Sequence, residues 1–462
     1  MGIDDQVVKI TKIDALHTCL GLAAGESSSA CNARWLTLKV PTIITVNSKT
    51  DPQSIIDAVR LHFHQKITYK AANRVKNTLC EDTIKSQQES FSQLPAYRDY
   101  LVNNFPGTYC QLLYEEHGNH QFKRIFVCPS PSRQSFQFCR QLVALDGTFI
   151  KSSFIQTLLL AVSIDANNEI VLLAWAVVES ENDSSWTYFL YHLKTAIPNI
   201  NTVNCTVISD RDKGLSTATD QTIPNAHRAH CCKHLADNVQ TAYGMAAKKI
   251  FWEIARADTV EKMEGMYIYL LFLFSKLEFF ILIPILAAYT KLGEIHPAAV
   301  TYLRAIDQSK FTTVHFPGNR QGHDTSNIAE SMNASLAAIR ELGMIPMLNA
   351  IWMKYMTTRT ARWEASLELK ESQTLTLYGQ ALLRKFLNWR ERNRVERGGP
   401  AGRQAQVMQI NGQVHLVDLD SRSCTCNDVN YKENGVPCGH TVSLLAALHE
   451  RAIDYMPTKL WA

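Results

Sequence analysis

The sequence lacks the features that mark secreted proteins. Its twelve cysteines form no evenly spaced framework, and no secretory signal peptide opens the chain. Because disulfide-rich secreted domains space their cysteines regularly, we expect reduced thiols and an intracellular setting. A strong excess of one charge is absent too. The formal net charge of +4 permits a nucleic-acid partner without arguing for one.

An uninterrupted membrane span is also missing. The apolar run at 266–288 carries Lys276 and Glu278 near its middle, followed by Pro284. Each charge costs roughly 2.5 to 3.5 kcal/mol at the centre of a membrane helix, so we expect no membrane partner. Two interpretations stay open. The run is either a buried helix of an insertion or a retained intron, since codons for Gly265-Met266-Tyr267 can contain an intron start.

Apolar sequence, in contrast, is plentiful. It makes up 46% of the 462 residues, enough for real cores in roughly two to four domains. A continuous apolar run at 142–145 predicts a buried strand that ends where it delivers Asp146. Runs at 157–164 and 169–178 predict an antiparallel hairpin around the turn residues 165–168.

A helix and a further strand follow this hairpin. Apolar residues at helical spacing predict a helix over about 186–196, and residues 205–209 predict a strand that ends on Asp210. Three strands, a helix and a strand ending in a carboxylate follow the order of a ribonuclease H-like fold. The expected class is therefore α/β, with Asp146 and Asp210 at the ends of neighbouring strands.

Four motifs follow one another along the chain: Asp146-Gly147-Thr148-Phe149, Ser209-Asp210-Arg211, Cys231-x-x-His234 and the Glu330 segment at 325–333. This ordered set resembles the core of Mutator-like transposases. The resemblance implies a ribonuclease H-like core over 105–345 with a helical insertion at about 240–320. It also implies that Asp146, Asp210 and Glu330 form a DDE triad. Such a triad holds Mg²⁺ or Mn²⁺ through oxygen ligands and serves DNA strand cleavage and transfer.

Glu330 has a competing interpretation. The spacing Asn327-x-x-Glu330 is that of a helix capping box, so the carboxylate is either a metal ligand or a cap. A four-residue apolar stripe predicts a helix over 325–340 with Glu330 on a different face. If Glu330 is the cap, the next candidates for the third ligand are Glu179 and Glu181.

Cys231 and His234 stand about one helical turn apart and offer two soft ligands. Two ligands do not close a zinc site. Metal binding and a structural hydrogen-bonding role beside the active centre therefore both stay open for this pair.

A second Cys/His set lies near the C-terminus. Cys424-x-Cys426 and Cys438-x-His440 resemble the SWIM zinc finger that closes many such proteins. Three thiolates and one imidazole match the ligand set of a tetrahedral Zn²⁺ site. We expect residues 403–462 to form this small finger, with Asn411-Gly412 as a hairpin turn and residues 398–402 as the preceding linker.

Three other regions bear on DNA binding. Residues 1–50 form a partial finger-like region, in which His17-Thr18-Cys19 lacks an upstream cysteine to complete a zinc site. Residues 51–104 predict a small basic helical domain, either a DNA-binding unit or a solvated linker. Residues 346–397 predict a basic helical region whose Arg390, Arg392 and Arg394 face DNA phosphates or solvent.

The function implied by the resemblance is that of a DDE-type DNA transposase. It would act in the nucleus on transposon terminal repeats and target DNA, as a homo-oligomer, with Zn²⁺ in its finger. The alternative is a domesticated or inactive descendant that binds DNA as a transcription regulator. The presence of all three carboxylates favours the enzyme.

Overall fold

A computed structural model defines the fold of two compact units, one ending at Ser90 and the other beginning at Phe91. The predicted pair His17 and Cys19 lies outside the described residues. The structure describes residues 32–44, 46, 50–115, 121–151, 156–211, 213–264, 266–274, 277–285, 288–367, 375–388, 393–426, 428, 431 and 434–457.

Helices α1 to α3 begin in the first unit, and the other helices lie in the second. The helices are α1 (Ala33–Lys39), α2 (Pro52–Phe63), α3 (Tyr69–Ser92), α4 (Leu94–Asn104), α5 (Ser130–Ser135), α6 (Asp183–Ala196), α7 (Lys213–Thr222), α8 (Cys232–Ala255), α9 (Val260–Glu264), α10 (Ala288–Ile295), α11 (Pro297–Arg304), α12 (Asn327–Ser335), α13 (Met344–Leu367), α14 (Leu377–Leu387) and α15 (Gly439–Ala447).

The strands that the structure describes all lie in the second unit. They are β1 (Tyr109–Tyr114), β2 (Phe122–Cys128), β3 (Leu142–Ile150), β4 (Gln156–Ile164), β5 (Ile170–Val178), β6 (Thr206–Ser209), β7 (His227–His230), β8 (Met266–Phe274), β9 (Leu277–Ile285), β10 (Arg394–Gly398), β11 (Gln404–Met408), β12 (Val414–Asp418) and β13 (Ser423–Cys424).

The described part of the first unit is helical, as predicted for the residues from 51 onward. Asp51 caps α2 by accepting the backbone N–H of Gln53, and Ile55 and Val59 of that helix are buried with Val75 of α3. Helix α4, however, lies in the second unit, where it packs on the central sheet. The helical region predicted for 51–104 is therefore divided between the two units.

A seven-stranded sheet in the order β1-β2-β5-β4-β3-β6-β7 organises the second unit. The neighbouring pairs β1–β2, β2–β5, β5–β4 and β4–β3 are antiparallel, whereas the pairs β3–β6 and β6–β7 are parallel. Ala144 faces a cluster that includes α12 and α13, and Val143 faces a cluster that includes α6 and α7. Helices thus cover both faces of the sheet, which explains why these strands are continuously apolar.

The predicted hairpin between β4 and β5 is confirmed. The Asp165 carboxylate accepts the backbone N–H groups of Asn167 and Glu169, and Asn168 has a positive φ of 64°. Asp and Asn favour such turns because their side chains bond locally and tolerate the left-handed region.

Strand β3 differs from its prediction because it does not stop at Asp146. It continues to Ile150 by pairing with β4, while its shorter pairing with β6 ends at Ala144↔Ile208. The apolar run stops at residue 145, which ended the prediction there. Antiparallel pairing with β4 nevertheless extends the strand four residues beyond Asp146.

The insertion between β7 and α12 is mainly helical, with buried side chains from α8, α10 and α11 in one cluster. The helix predicted for 266–288 is wrong, because β8 and β9 form an antiparallel hairpin there. The run consists of two halves rich in aromatic and β-branched residues, which favour strands. Among the described helices, none combines the length and apolar character needed to cross a membrane. The retained intron stays a prediction.

The C-terminal sheet has the order β10-β11-β12-β13, and α15 packs on it. The predicted hairpin around Asn411-Gly412 is confirmed by the β11–β12 pairing and by a φ of 84° at Gly412. Two predictions are wrong here. Arg394 lies in β10 and not in a helix, and residues 398–402 form the turn between the paired strands β10 and β11. Clusters of Gly and Pro occur in turns as well as in linkers, so composition did not distinguish a turn from a linker at residues 398–402.

Candidate active site and Cys/His cluster

The first two predicted carboxylates come from neighbouring parallel strands. Ala144 of β3 pairs with Ile208 of β6, so continuing this register by two residues sets Asp146 beside Asp210. Asp146 shares the sheet face of Ala144, since side chains alternate along a strand. Its pKa responds to the charge of Asp210, as expected for neighbours. The predicted proximity therefore holds although only Asp210 stands at a strand end.

Glu330 reaches the same place from α12. Ile328, Met332 and Leu336 pack against the sheet cluster, as the predicted stripe requires, and leave Glu330 on another face. The helix ends at Ser335, earlier than predicted, and Ser326 is its N-cap residue. The carboxylate of Glu330 contacts the Lys233 ammonium group. The capping-box interpretation is therefore wrong, because Asn327 is already inside the helix and Glu330 bonds elsewhere.

The charges of Asp210 and Glu330 act on the carboxylate of Asp146. Burial raises the pKa of Asp146 to about 6, and the negative charges of Asp210 and Glu330 push this pKa in the same direction. The side-chain amide of Asn333 opposes the rise by donating to Asp146 Oδ2 at 2.5 Å. Charge that converges in this way is relieved by a proton, a hydrogen-bond donor or a cation.

Two neighbours of the triad were not predicted as site residues. Asn333 lies one turn after Glu330 on α12, and Lys233 lies in the first turn of α8. Both belong to the motifs that carried the resemblance, so their signal was present in the sequence. The sequence does not give the orientation of the helices that carry these residues. The packing of α8 and α12 shows that Lys233 contacts Glu330 and that Asn333 contacts Asp146.

Cys231 and His234 lie beside Glu330. The ligand atoms of these three residues all lie within 4.8 Å of one another, and His234 Nε2 is 3.8 Å from Glu330 Oε1. The backbone N–H of Ser326 donates to Cys231 Sγ at 3.3 Å, which ties the start of α8 to the start of α12. The structure thus places the pair next to the carboxylates, while its structural and metal-binding interpretations both stay predictions.

The charges of this pair are linked. Burial acts to raise the pKa of the Cys231 thiol, but hydrogen bonds from His234 and Ser326 outweigh it and leave the pKa below its ordinary value. A hydrogen bond with Cys231 raises the pKa of His234 to about 9, and the charges of Cys231, Glu330 and Asp210 act in the same direction. His234 therefore adds positive charge at the edge of the carboxylate group.

The two fallback carboxylates lie elsewhere. Glu179 binds the buried Arg124 guanidinium. A Cβ atom on Gly147 would lie 2.8 Å from Glu181 Oε2, which puts Glu181 on the sheet face opposite to that of Asp146. Of these three glutamates, Glu330 is the one whose charge affects the pKa of Asp146.

The C-terminal Cys/His residues converge as predicted. The ligand atoms of Cys424, Cys426, Cys438 and His440 all lie within 4.8 Å of one another. Cys424 ends β13, Cys438 is the N-cap of α15 and His440 lies in the first turn of that helix. His440 Nδ1 faces Cys424 Sγ at 3.8 Å and Cys438 Sγ at 3.9 Å, while the Gln409 side chain lies 2.5 Å from His440 Nε2. One imidazole nitrogen thus faces the thiols and the other is held from outside.

The thiols of this cluster hold their protons unequally. Hydrogen bonds from Cys424 and Cys426 lower the pKa of Cys438, whereas hydrogen bonds with Cys426 and Cys438 raise that of Cys424. A lowered pKa favours the deprotonated sulfur, which is the form that binds metal.

The predicted basic residues give a mixed result. Arg390 and Arg392 lie outside the described residues, and Arg394 is exposed on β10 with Glu396 as an ion-pair partner at 2.9 Å. In the first unit Lys66, Lys70 and Arg74 are exposed. Exposure suits phosphate binding and solvation equally, so the interpretations of both basic regions stay open.

Comparison with protein families finds a similarity over part of the chain. No curated protein matches the chain. Residues 142–238, however, match the family model of the MULE transposase domain. The matched segment runs from β3 into α8 and includes Asp146, Asp210, Cys231 and His234, while Glu330 lies beyond it. This segment is therefore similar to a transposase domain, which supports a Mutator-like transposase.

Proposed function

We propose that this protein is a DDE-type DNA transposase of the Mutator-like class, which cleaves and transfers DNA strands at transposon ends. The observation that carries the proposal is the convergence of Asp146, Asp210 and Glu330 from β3, the end of β6 and α12. The match of residues 142–238 to the MULE transposase domain supports the coarser part of the proposal, a transposase-family protein.

The sheet supports a ribonuclease H-like core. Taken alone, strands β5-β4-β3-β6-β7 comprise three antiparallel strands, with two further strands parallel to the first of them, β3. This is the order expected when three consecutive strands precede a helix and a parallel strand. The insertion then separates the second carboxylate from the third.

The residues present fit divalent magnesium or manganese. Carboxylate oxygens are the ligands that these hard cations prefer. Among the described residues, Glu330 Oε1 is buried without a hydrogen-bond partner, and the neighbouring carboxylates already raise the pKa of Asp146. Asp146, Asp210 and Glu330 would hold the ions. A bound pair of such ions activates an attacking water or 3′-hydroxyl and stabilises the leaving oxygen of an in-line displacement.

The chain's other residues prepare these ligands. Asn333 fixes one oxygen of Asp146 by donating to it, and the Cys231–Ser326 hydrogen bond fixes α8 against α12, the helix that carries Glu330. Preorganisation of this kind matters because misplaced ligands lose much of their catalytic effect. The side chains of His234 and Lys233 place positive charge where a DNA phosphate would approach.

We extend the proposal to the rest of the chain. The Cys424, Cys426, Cys438 and His440 cluster is a SWIM-type Zn²⁺ site, since its donor set and spacing suit tetrahedral zinc. The partners are terminal repeats, target DNA and further copies of the chain, and the location is the nucleus. The exposed cations on the first unit and on β10 would supply sequence-independent contacts.

A strand-cleavage assay tests the proposed function. The full chain, with residues 265–288 retained or deleted, is incubated with duplexes carrying the terminal repeats that flank its gene, in Mg²⁺ or Mn²⁺. We expect cleavage by the parent protein. Asp146→Asn, Asp210→Asn and Glu330→Gln should each lower the rate by more than about a thousandfold while DNA affinity stays nearly intact or improves.

Glu181→Gln is the matched control, because it neutralises a carboxylate on the opposite sheet face and should preserve cleavage. DNA binding without cleavage by either form of the parent chain would instead favour the transcription regulator. Cleavage retained by Glu330→Gln alone would remove Glu330 from the triad.

A further inference from the structure

Two ion pairs of the described residues engage a triad carboxylate, Lys233–Glu330 and His234–Glu330, and the first is the closer contact. Lys233 Nζ binds Glu330 Oε2, and the two side chains are 41% and 28% exposed. The two residues lie far apart in the sequence and meet because α8 and α12 begin side by side. A half-exposed pair of this type is worth at most about 1 kcal/mol, so fold stability alone does not explain its place.

The ammonium group stands in for a cation. Glu330 Oε2 accepts from Lys233, and Oε1 has no hydrogen-bond partner among the described residues. A metal ion held by Glu330, Asp146 and Asp210 would compete with Lys233 for the same lone pairs and would repel its charge. Binding of the ion and the Lys233–Glu330 contact therefore oppose each other.

A released Lys233 would have an obvious new partner. Its side chain reaches solvent, and it is attached to the first turn of α8, where the positive end of the helix dipole favours anions. Arg211, directly after Asp210, is also exposed. DNA entering a carboxylate site brings phosphates to this edge, and a lysine ammonium binds phosphate well as a point charge.

We propose that Lys233 is a positioning residue with two alternative partners. It holds Glu330 while the carboxylates lack metal and, once a cation takes Glu330, it turns to a backbone phosphate of the bound DNA strand. This inference rests on the proposed function, since it requires a cation among the three carboxylates. It couples metal binding to DNA binding. A cation bound to Glu330 releases Lys233 for a phosphate, and a phosphate bound to Lys233 releases Glu330 for a cation.

Metal affinity in the absence of DNA gives the first test. Mn²⁺ is titrated into the full-length protein by calorimetry, without DNA. Lys233→Met removes the competing ammonium group, so we expect Mn²⁺ to bind about fivefold more tightly than to the parent protein. Lys233→Arg keeps the charge and should return the affinity most of the way to the parent value. Lys249→Met, an exposed position on the same helix, is the control and should change nothing.

A double-variant cycle separates competition from a change of structure. In a Glu330→Gln background, the step from Lys233 to Met should no longer tighten Mn²⁺ binding, because the ion pair is already absent. Thermal unfolding of each variant reports whether the fold survives. A Lys233→Met protein that binds Mn²⁺ no more tightly than the parent, with its fold intact, would overturn the inference.

The DNA arm uses a short duplex of arbitrary sequence, with Ca²⁺ replacing Mg²⁺ so that the strands stay uncut. We expect Lys233→Met to lower the slope of log affinity against log salt by about 0.9, the share of one phosphate contact. An unchanged slope would overturn the second half of the inference.

Failure of the proposed function gives a different result. If Asp146→Asn and Asp210→Asn bind Mn²⁺ as well as the parent protein does, the carboxylates hold no metal. That outcome would overturn the proposed function together with this inference. If those two variants lose Mn²⁺ and Lys233→Met has no effect on affinity or salt slope, the inference about Lys233 alone fails.

Discussion

The carboxylate site and the Cys/His cluster of this chain are assembled on opposite principles. Asp146, Asp210 and Glu330 come from three distant elements and meet because a seven-stranded sheet and a covering helix bring them together. The four residues of the Cys/His cluster come from one short segment, between β13 and the first turn of α15. The carboxylate site therefore depends on the overall fold, whereas the local spacing of its residues nearly defines the Cys/His cluster.

The two surroundings also differ in how much apolar packing supports them. Both faces of the central sheet are covered by large buried clusters that include Trp175 and Trp186. Among the described residues, the C-terminal sheet has a cluster of six buried residues that include Val407 and Leu444, and a second small cluster packs α15 against α14. A cation at the carboxylates is therefore expected to supply chemistry, whereas a cation at the thiols is expected to supply folding free energy as well.

Removing zinc should have the largest effect on structure. The full chain is expected to carry about one equivalent of zinc by elemental analysis. Chelation or Cys438→Ser should open the C-terminal segment to proteases while the central sheet stays protected, because metal binding contributes roughly 10 to 16 kcal/mol in small zinc domains.

Cys139→Ala is the control for this experiment, since Cys139 is buried in the sheet's own core and far from the cluster in sequence. It should leave the zinc content unchanged. A C-terminal segment that stays protease-resistant after complete chelation would show that its small apolar core is sufficient, and the contrast between the two sites would then disappear.

The next effect concerns which region contacts DNA. Neutralising Arg390, Arg392 and Arg394 together with glutamine should flatten the dependence of log affinity on log salt, by up to about 0.9 for each phosphate that the variant no longer neutralises. Arg394 should contribute less to this slope than the other two arginines, because Glu396 competes with DNA phosphate for its guanidinium group. Neutralising Lys66, Lys70 and Arg74 in the first unit is the matched comparison, and fluorescence anisotropy at several salt concentrations measures both. An unchanged slope for the first set would assign it to solvent.

Sequence reasoning predicted what depends on pattern. Continuous apolar runs predicted the covered strands β3, β4 and β5, and turn residues predicted the hairpins at 165–168 and at Asn411-Gly412. The Cys/His cluster was also predictable, because four ligands of two types at short spacing leave little freedom. These signals are local, so each could be interpreted without knowing the rest of the fold.

Other features depend on contacts between distant elements. The capping-box spacing of Asn327 and Glu330 could not be excluded before the N-cap was located at Ser326. The partners Lys233 and Asn333 follow from helix orientation, which periodicity does not provide. The apolar run at 266–288 suits a buried helix and a hairpin alike, and composition alone did not separate them.

The smallest expected effect tests whether the central sheet has a pH dependence that owes nothing to metal. Burial lowers the pKa of His192 from 6.5 to about 4, in an aromatic group where Tyr109 bonds its Nδ1 at 2.8 Å. The unfolded chain therefore takes up this proton first as pH falls, so the contribution is complete above 6.5 and is lost toward 4. His192→Phe should reduce the loss of unfolding free energy between neutral pH and about pH 5 by roughly 1 kcal/mol, after allowance for partial exposure. Urea denaturation with and without chelator measures this. An equal loss in both proteins would contradict it, and a difference abolished by chelation would place the acid sensitivity at a metal site.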